Sequence, residues 1–165
     1  ARGAQILGEV LGYGLSNDAS HITRPSVQGQ AQAMRAALQS AGIGARDIDA
    51  INAHGTGTQA NDATETAALK AVFGARAHEI PVSATKAVHG HLLGAAGALE
   101  CALSLLAMQQ QVVLPTLHLL SPDPECDLDY VPNLARRQVP VRTMLSNSFA
   151  FGGTNAVLAL RASLV

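Results

Sequence analysis

Two histidines, a pair of threonines, a lysine and a carboxylate stand at the ends of apolar segments in this sequence, where side chains can do chemistry. His54 follows the apolar run at residues 48–53 and opens the loop His54-Gly-Thr-Gly-Thr. In α/β folds ligand-contacting groups gather at such strand ends. Thr56 and Thr58 add hydroxyls to the same loop. His91 opens a Gly/Ala-rich stretch reaching residue 108, and a helix beginning there sets its positive end against the imidazole and disfavours the protonated ring. A neutral ring donates one hydrogen bond to a carbonyl, which is what stabilising an enolate or tetrahedral oxyanion requires. At both positions the plain alternative is a packed or capping histidine without a catalytic role.

Glu100 is the only charged residue between His91 and Met108, on a segment apolar nearly all round, so its carboxylate is expected to be buried. A buried carboxylate needs a partner. Lys86 is the nearest candidate in the chain, although a cation would also serve, and a solvent edge at Glu100 is the alternative. Farther on, Phe149 and Phe151 flank the start of the glycine turn Gly152-Gly153, which suits either a mobile loop with a bulky gate or a β-turn with core phenylalanines. Cys101 follows Glu100 on the apolar segment and Cys126 lies in a Pro/Asp-rich stretch, and neither setting activates a thiol.

The elements that must position these groups can be read from periodicity and punctuation. A strand broken by glycines is expected at residues 6–15, then a polar loop at 16–25 and a helix over 27–41 closed by Gly42. Next come a strand at 48–53, a helix capped by Asn61 or Asp62 and closed by Gly74, a strand at 80–85 and a helix over 91–108. Residues 112–120 read as extended, with Pro115 confining them to an edge, and 121–134 as an irregular connection. Strands at 144–149 and 156–161 form an antiparallel hairpin across the Phe151–Thr154 turn. The order βαβαβαββ predicts an α/β fold, with a five-stranded mixed sheet covered by helices.

Composition sets outer limits. At 165 residues and 48% hydrophobic, the chain is expected to form one domain, residues 1–165, with a real core. Its 11 basic and 12 acidic residues, without runs of either, give no nucleic-acid surface. The apolar stretch 92–108 is short and interrupted by Glu100, so a core helix rather than a membrane span is expected. Two cysteines and no visible leader at the N-terminus fit a cytoplasmic protein.

Taken together, Asn52-Ala-His-Gly-Thr-Gly-Thr, Ser83-Ala-Thr-Lys-Ala-Val-His-Gly-His-Leu-Leu-Gly-Ala-Ala-Gly and Asn147-Ser-Phe-Ala-Phe-Gly-Gly-Thr-Asn resemble β-ketoacyl-[acyl carrier protein] synthases, condensing enzymes of the thiolase superfamily. The resemblance spans nearly the whole chain and implies the C-terminal, thiolase-like half. It implies decarboxylative Claisen condensation of an acyl-enzyme thioester with malonyl-[acyl carrier protein], in fatty acid or polyketide synthesis. By the same resemblance His54 and His91 hold the malonyl thioester carbonyl, Lys86 is the active-site lysine, and Asp62 and Glu100 support them. Thr56 and Thr58 look like the hydroxyls that bind the phosphopantetheine arm. Phe151 looks like the gate, with Phe149, Gly152 and Gly153 on the same substrate-binding segment. Asn52, Glu100, Ser146 and Asn147 are similar to a cation cluster of some members; otherwise no metal or cofactor is implied beyond substrates carried on phosphopantetheine.

The nucleophilic cysteine of that family lies in an N-terminal half this sequence does not contain. The resemblance therefore implies that half as a partner, together with acyl carrier protein and a homodimer or heterodimer of the whole synthase. A lone chain is expected to expose apolar surface. Two positions depart from the family: Ala150, where glycine commonly precedes the gating Phe, and His89, where a small or apolar residue is more usual.

Three other readings compete. Gly55, Gly57 and Ala60 fit the dinucleotide pattern G-x-G-x-x-A, but Asp62 and Glu65 crowd a pyrophosphate at that helix start. His54, His89 and His91 could form a zinc site. A non-catalytic synthase-like subunit that shapes a partner's acyl pocket would have no need of His54, Lys86 and His91 together.

Overall fold

The computed structural model describes residues 2–163. Its centre is a five-stranded mixed sheet in the order β1-β7-β6-β2-β3, from β1 (Gly8–Asn17), β2 (Ala50–Asn52), β3 (Val82–Ser83), β6 (Thr143–Ala150) and β7 (Thr154–Ala162). β6 and β7 form the expected hairpin, β1 pairs antiparallel with β7, and β2 runs parallel to both β3 and β6. The five-stranded mixed sheet read from the sequence is therefore present.

Helices α1 (Val27–Ala41) and α2 (Gln59–Phe73) cover one face of the sheet, and α4 (Ala96–Gln109) lies across β6 and β7 on the other. The first face holds the larger core, where Met34, Ala37 and Leu69 meet Ile51, Leu145 and Phe149. Under α4, Met108 packs with Val113, Met144 and Leu160. Alternation along β6 splits its side chains, with Leu145, Asn147 and Phe149 toward α1 and α2 and Met144 toward α4. Glycines bring α1 onto β1: a Cβ on Gly14 would lie 2.0 Å from the Ala33 carbonyl oxygen, so only glycine permits this approach. The opposite face of β1 is bare, with Tyr13 and Leu15 61% and 62% exposed.

Three boundaries differ from the sequence reading. His91 does not open a helix: α3 (Lys86–His89) ends at Gly90, which has a φ of 75°, and α4 starts only at Ala96. Gly90 and Gly94 make the intervening backbone costly to wind, so the apolar run folds as a short helix, a turn and a longer helix. The cap of α2 is Thr58, whose hydroxyl accepts from the Asn61 N–H, rather than Asn61 or Asp62. Finally, the extended stretch after α4 yields β4 (Val112–Val113), which pairs with an unforeseen strand β5 (Arg136–Arg137) in a two-stranded ribbon. Such a two-residue pairing is too short to leave a periodic signal.

No helix among the described residues is long and apolar enough to cross a membrane.

Candidate active site

Parallel strands β2 and β3 end side by side, and each is followed by one of the two histidines. His54 leaves the end of β2 and is buried; His91 reaches the same place through α3 and the Gly90 turn and is exposed. Their ring centroids lie 5.5 Å apart at an interplanar angle of 81°, and the Phe149 ring packs edge-on 6.0 Å from His54. Both histidines line one cavity of about 750 Å³, which Thr56, Thr58, Phe149 and Phe151 also border.

Burial lowers the His54 pKa from 6.5 to about 3, and the charges of Lys86 and His91 push the same way. The ring is therefore neutral and carries one N–H. Its Nδ1 is sealed from solvent without a partner, which leaves Nε2 as the ring atom for the cavity. On His91, Nδ1 accepts from the Leu93 N–H at 3.2 Å, so in the neutral ring the proton sits on Nε2. The expectation of a helix-dipole effect on His91 falls with the helix start, and this hydrogen bond takes its place in setting the tautomer.

Lys86 and Glu100 form a buried ion pair through the Lys86 Nζ and Glu100 Oε1. The partner read from the sequence is the one found. Their side chains are only 4% and 1% exposed, a setting in which either charge alone would be strongly penalised.

A carboxylate the sequence reading did not assign to the site holds the end of β2. Glu65 on α2 accepts from the backbone N–H groups of His54 at 2.9 Å and Gly55 at 3.0 Å, and from the side-chain amides of Asn147 at 3.0 Å and Asn61 at 3.3 Å. Burial raises its pKa, and the four donors oppose the rise. Asp62, assigned that supporting role, instead accepts from Asn61 and borders a second cavity of about 630 Å³. The available signal was position: Glu65 shares the buried stripe of α2 with Asn61, Ala68 and Leu69. Because Glu65 occupies the N–H groups of His54 and Gly55, and Thr58 that of Asn61, the loop has few donors left to cradle a pyrophosphate.

Thr56 and Thr58 are joined by a 2.9 Å hydrogen bond between their hydroxyls. Phe151 is 79% exposed at the cavity rim, and Gly152 and Gly153 follow it at positive φ. This turn is tied to the 18–26 loop: Asp18 N–H donates to Gly153 O at 2.8 Å and Gly152 N–H to Ile22 O at 2.7 Å.

Of the four cation-cluster residues Asn147 stands apart, while Asn52 is paired with Ser146 in the sheet. Asn52 donates to the Glu100 carbonyl and to Ser104, whereas the Asn147 amide lies on the opposite sheet face, bonded to Glu65 and Met34. Adjacent strand residues point to opposite faces, which separates Ser146 from Asn147. No group of three or more His, Cys, Asp or Glu side chains among the described residues is placed to hold a metal ion, which removes the three-histidine zinc reading. Cys101 and Cys126 are free, half-buried and raised in pKa by burial, and neither lines the histidine cavity.

Comparison with known proteins agrees with this arrangement. Residues 7–120 match the family described as beta-ketoacyl synthase, C-terminal domain. Over 161 residues the chain is 55% identical to nodulation protein E of Rhizobium meliloti, covering 98% of this chain and 40% of that protein. Against 3-oxoacyl-[acyl-carrier-protein] synthase 2 of Staphylococcus aureus it is 47% identical over 163 residues, covering 98% and 39%. Among solved structures, the ishigamide ketosynthase/chain length factor superposes with a TM-score of 0.93 at 47% identity, covering 98% of this chain and 39% of that one. The chain thus spans about 40% of the length of the curated relatives it matches. With motifs, sheet topology and relatives in agreement, the chain belongs to the β-ketoacyl synthase family, in which it corresponds to the C-terminal domain.

Proposed function

We propose that this chain is the C-terminal catalytic half of a β-ketoacyl-[acyl carrier protein] synthase, an acyltransferase that condenses an acyl-enzyme thioester with malonyl-[acyl carrier protein]. The observation that carries this reading is the histidine pair, two rings 5.5 Å apart on one cavity, each with Nε2 left to the cavity. Two N–H groups aimed at one thioester oxygen stabilise the charge that develops there. In the condensation the malonyl C–C bond to the carboxylate breaks, CO₂ leaves, and the electron pair passes into the thioester carbonyl as an enolate. The enolate carbon then attacks the acyl thioester, and the cysteine thiolate leaves. That cysteine would come from a further part of the synthase, because Cys101 and Cys126 lie away from the pair.

His54 suits this task because it stays neutral over the working pH range, and a neutral imidazole donates without competing for the proton. Thr56 is the better placed of the two loop hydroxyls for the phosphopantetheine arm, since Thr58 is engaged at the start of α2. Phe151 stands at the rim as a gate. The further partners are acyl carrier protein and a second synthase subunit, in a cytoplasmic assembly, with no cofactor beyond the carrier-borne substrates. One solved relative is a type II polyketide synthase acyl-carrier protein in complex with its ketosynthase.

A second reading, a non-catalytic subunit shaping a partner's acyl pocket, draws on relatives whose structures contain chain length factors. The retained histidine pair and the Lys86–Glu100 pair favour catalysis. The deciding experiment measures condensation and malonyl decarboxylation by the assembled synthase with His54→Ala and His91→Ala. Each is expected to lower decarboxylation by about 100-fold or more, the scale of one lost oxyanion donor; unchanged rates would leave the non-catalytic reading.

A further inference from the structure

The turn that delivers His91 is held by a histidine with no part in the chemistry above. His89, the last residue of α3, is half-buried, with Nδ1 2.7 Å from the Gly90 carbonyl oxygen and Nε2 3.3 Å from Thr85 Oγ1. Farther in, Thr85 Oγ1 lies 3.3 Å from Asn52 Oδ1. The Asn52 amide nitrogen lies 3.4 Å from the Glu100 carbonyl oxygen and 3.3 Å from Ser104 Oγ.

The inner bonds of this chain are directed from its buried end. A carbonyl oxygen only accepts, so the Asn52 nitrogen faces Glu100 and its oxygen faces Thr85. The Thr85 hydroxyl lies between the Asn52 oxygen and His89 Nε2. At the other side of the ring the Gly90 oxygen only accepts, so His89 Nδ1 donates. The ring is thus held at both nitrogens.

We infer that His89 is a positioning residue, seated on Thr85 and Gly90 through both ring nitrogens, that fixes the peptide unit carrying His91. The Gly90 oxygen belongs to the peptide whose nitrogen is that of His91. Gly90 has a φ of 75° and its own N–H is bonded to the Lys86 carbonyl, so rotating that peptide would swing His91 relative to His54. Removing the ring leaves the Gly90 oxygen without its partner and loosens the seat. The ionisable groups around it are Lys86, one turn back and paired inward with Glu100 of α4, His91 on the following turn, and neutral His54 beyond the end of β2. Among the described residues no carboxylate lies within ion-pair distance of His89.

Imidazole ¹⁵N spectra of the full-length synthase labelled at histidine test the seat directly. Both His89 nitrogens are expected to carry hydrogen-bonded shifts, and Thr85→Val, which removes one partner, is expected to move the Nε2 shift and leave Nδ1 bonded. An Nε2 shift that Thr85→Val leaves unchanged would overturn the inference. The consequence for chemistry rests on the proposed condensing function. His89→Gln, whose shorter amide cannot reach both partners, is expected to cut kcat for malonyl decarboxylation roughly tenfold with little change in KM, about the worth of one hydrogen bond. His89→Arg, with several donors and a fixed charge, is expected to recover part of the loss. Unchanged decarboxylation in His89→Gln would refute positioning, whereas a parent protein without any decarboxylation would refute the condensing function and leave the spectrum to judge the seat.

Discussion

The burial of His54 makes a quantitative prediction about acid stability. In the unfolded chain its ring takes a proton near pH 6.5, but in the folded protein the pKa is about 3, so folding excludes that proton over the interval between them. Because the unfolded state binds more protons there, stability must fall as the pH drops from about 6.5 toward 3, with no further loss below the folded value. At about 1.36 kcal/mol for each pH step below the unfolded midpoint, moving from pH 8 to pH 4.5 removes about 2.7 kcal/mol through this residue alone. Other groups titrate as well, and Glu65, whose pKa is raised, opposes the trend at the acid end. The informative quantity is therefore a difference between parent and His54→Gln, which lacks the titrating ring. Urea unfolding of both at pH 8 and pH 4.5 should show the parent losing about 2.7 kcal/mol more than the variant. If the two lose stability in parallel, the ring is not desolvated, and the case for a permanently neutral hydrogen-bond donor fails with it.

Other substitutions bear on separate parts of the site. Glu100→Leu leaves the Lys86 ammonium buried without its carboxylate and should cost about 3–5 kcal/mol, whereas the Lys86→Met/Glu100→Leu double variant should regain much of that in thermal unfolding. Glu65→Gln turns an amide N–H toward donors that now meet a carboxylate; it should lower stability by at least about 1–3 kcal/mol, while Asp62→Asn should change it by less than about 1 kcal/mol in the same assay. Gly14→Ala forces α1 away from β1 and should cost about 1–3 kcal/mol, visible as a lower urea midpoint.

The sequence disclosed most of the frame because its punctuation is strong. Val27–Ala41 with Gly42 behind it, and the β6–β7 hairpin, follow from periodicity and turn chemistry, and both stand as read. His54 and His91 were found beside glycines at the ends of apolar segments and Glu100 as the lone charge on an apolar one, with Lys86 its nearest partner, and the fold brings all four together around the ends of β2 and β3. What stayed hidden depended on long-range geometry. The buried stripe of α2 carries Glu65 and not Asp62, but that this stripe reaches His54 is decided by which side of the helix meets the sheet. The start of α4 was misplaced because composition alone cannot tell a helix from a glycine-broken turn of the same apolarity. The ribbon of β4 and β5 joins segments more than twenty residues apart through only two paired positions, too few to leave a pattern.

Thr58 ties substrate entry to folding in a way that constrains how this loop can change. Its oxygen already serves the first turn of α2 and also meets the Thr56 hydroxyl, while its side chain borders both cavities. An incoming arm that recruited this oxygen would have to share it with the Asn61 N–H, so tighter grip at the cavity mouth would come at the expense of the helix that carries Glu65. Serine could replace it with little penalty, but alanine would loosen the mouth and the scaffold behind it in a single change.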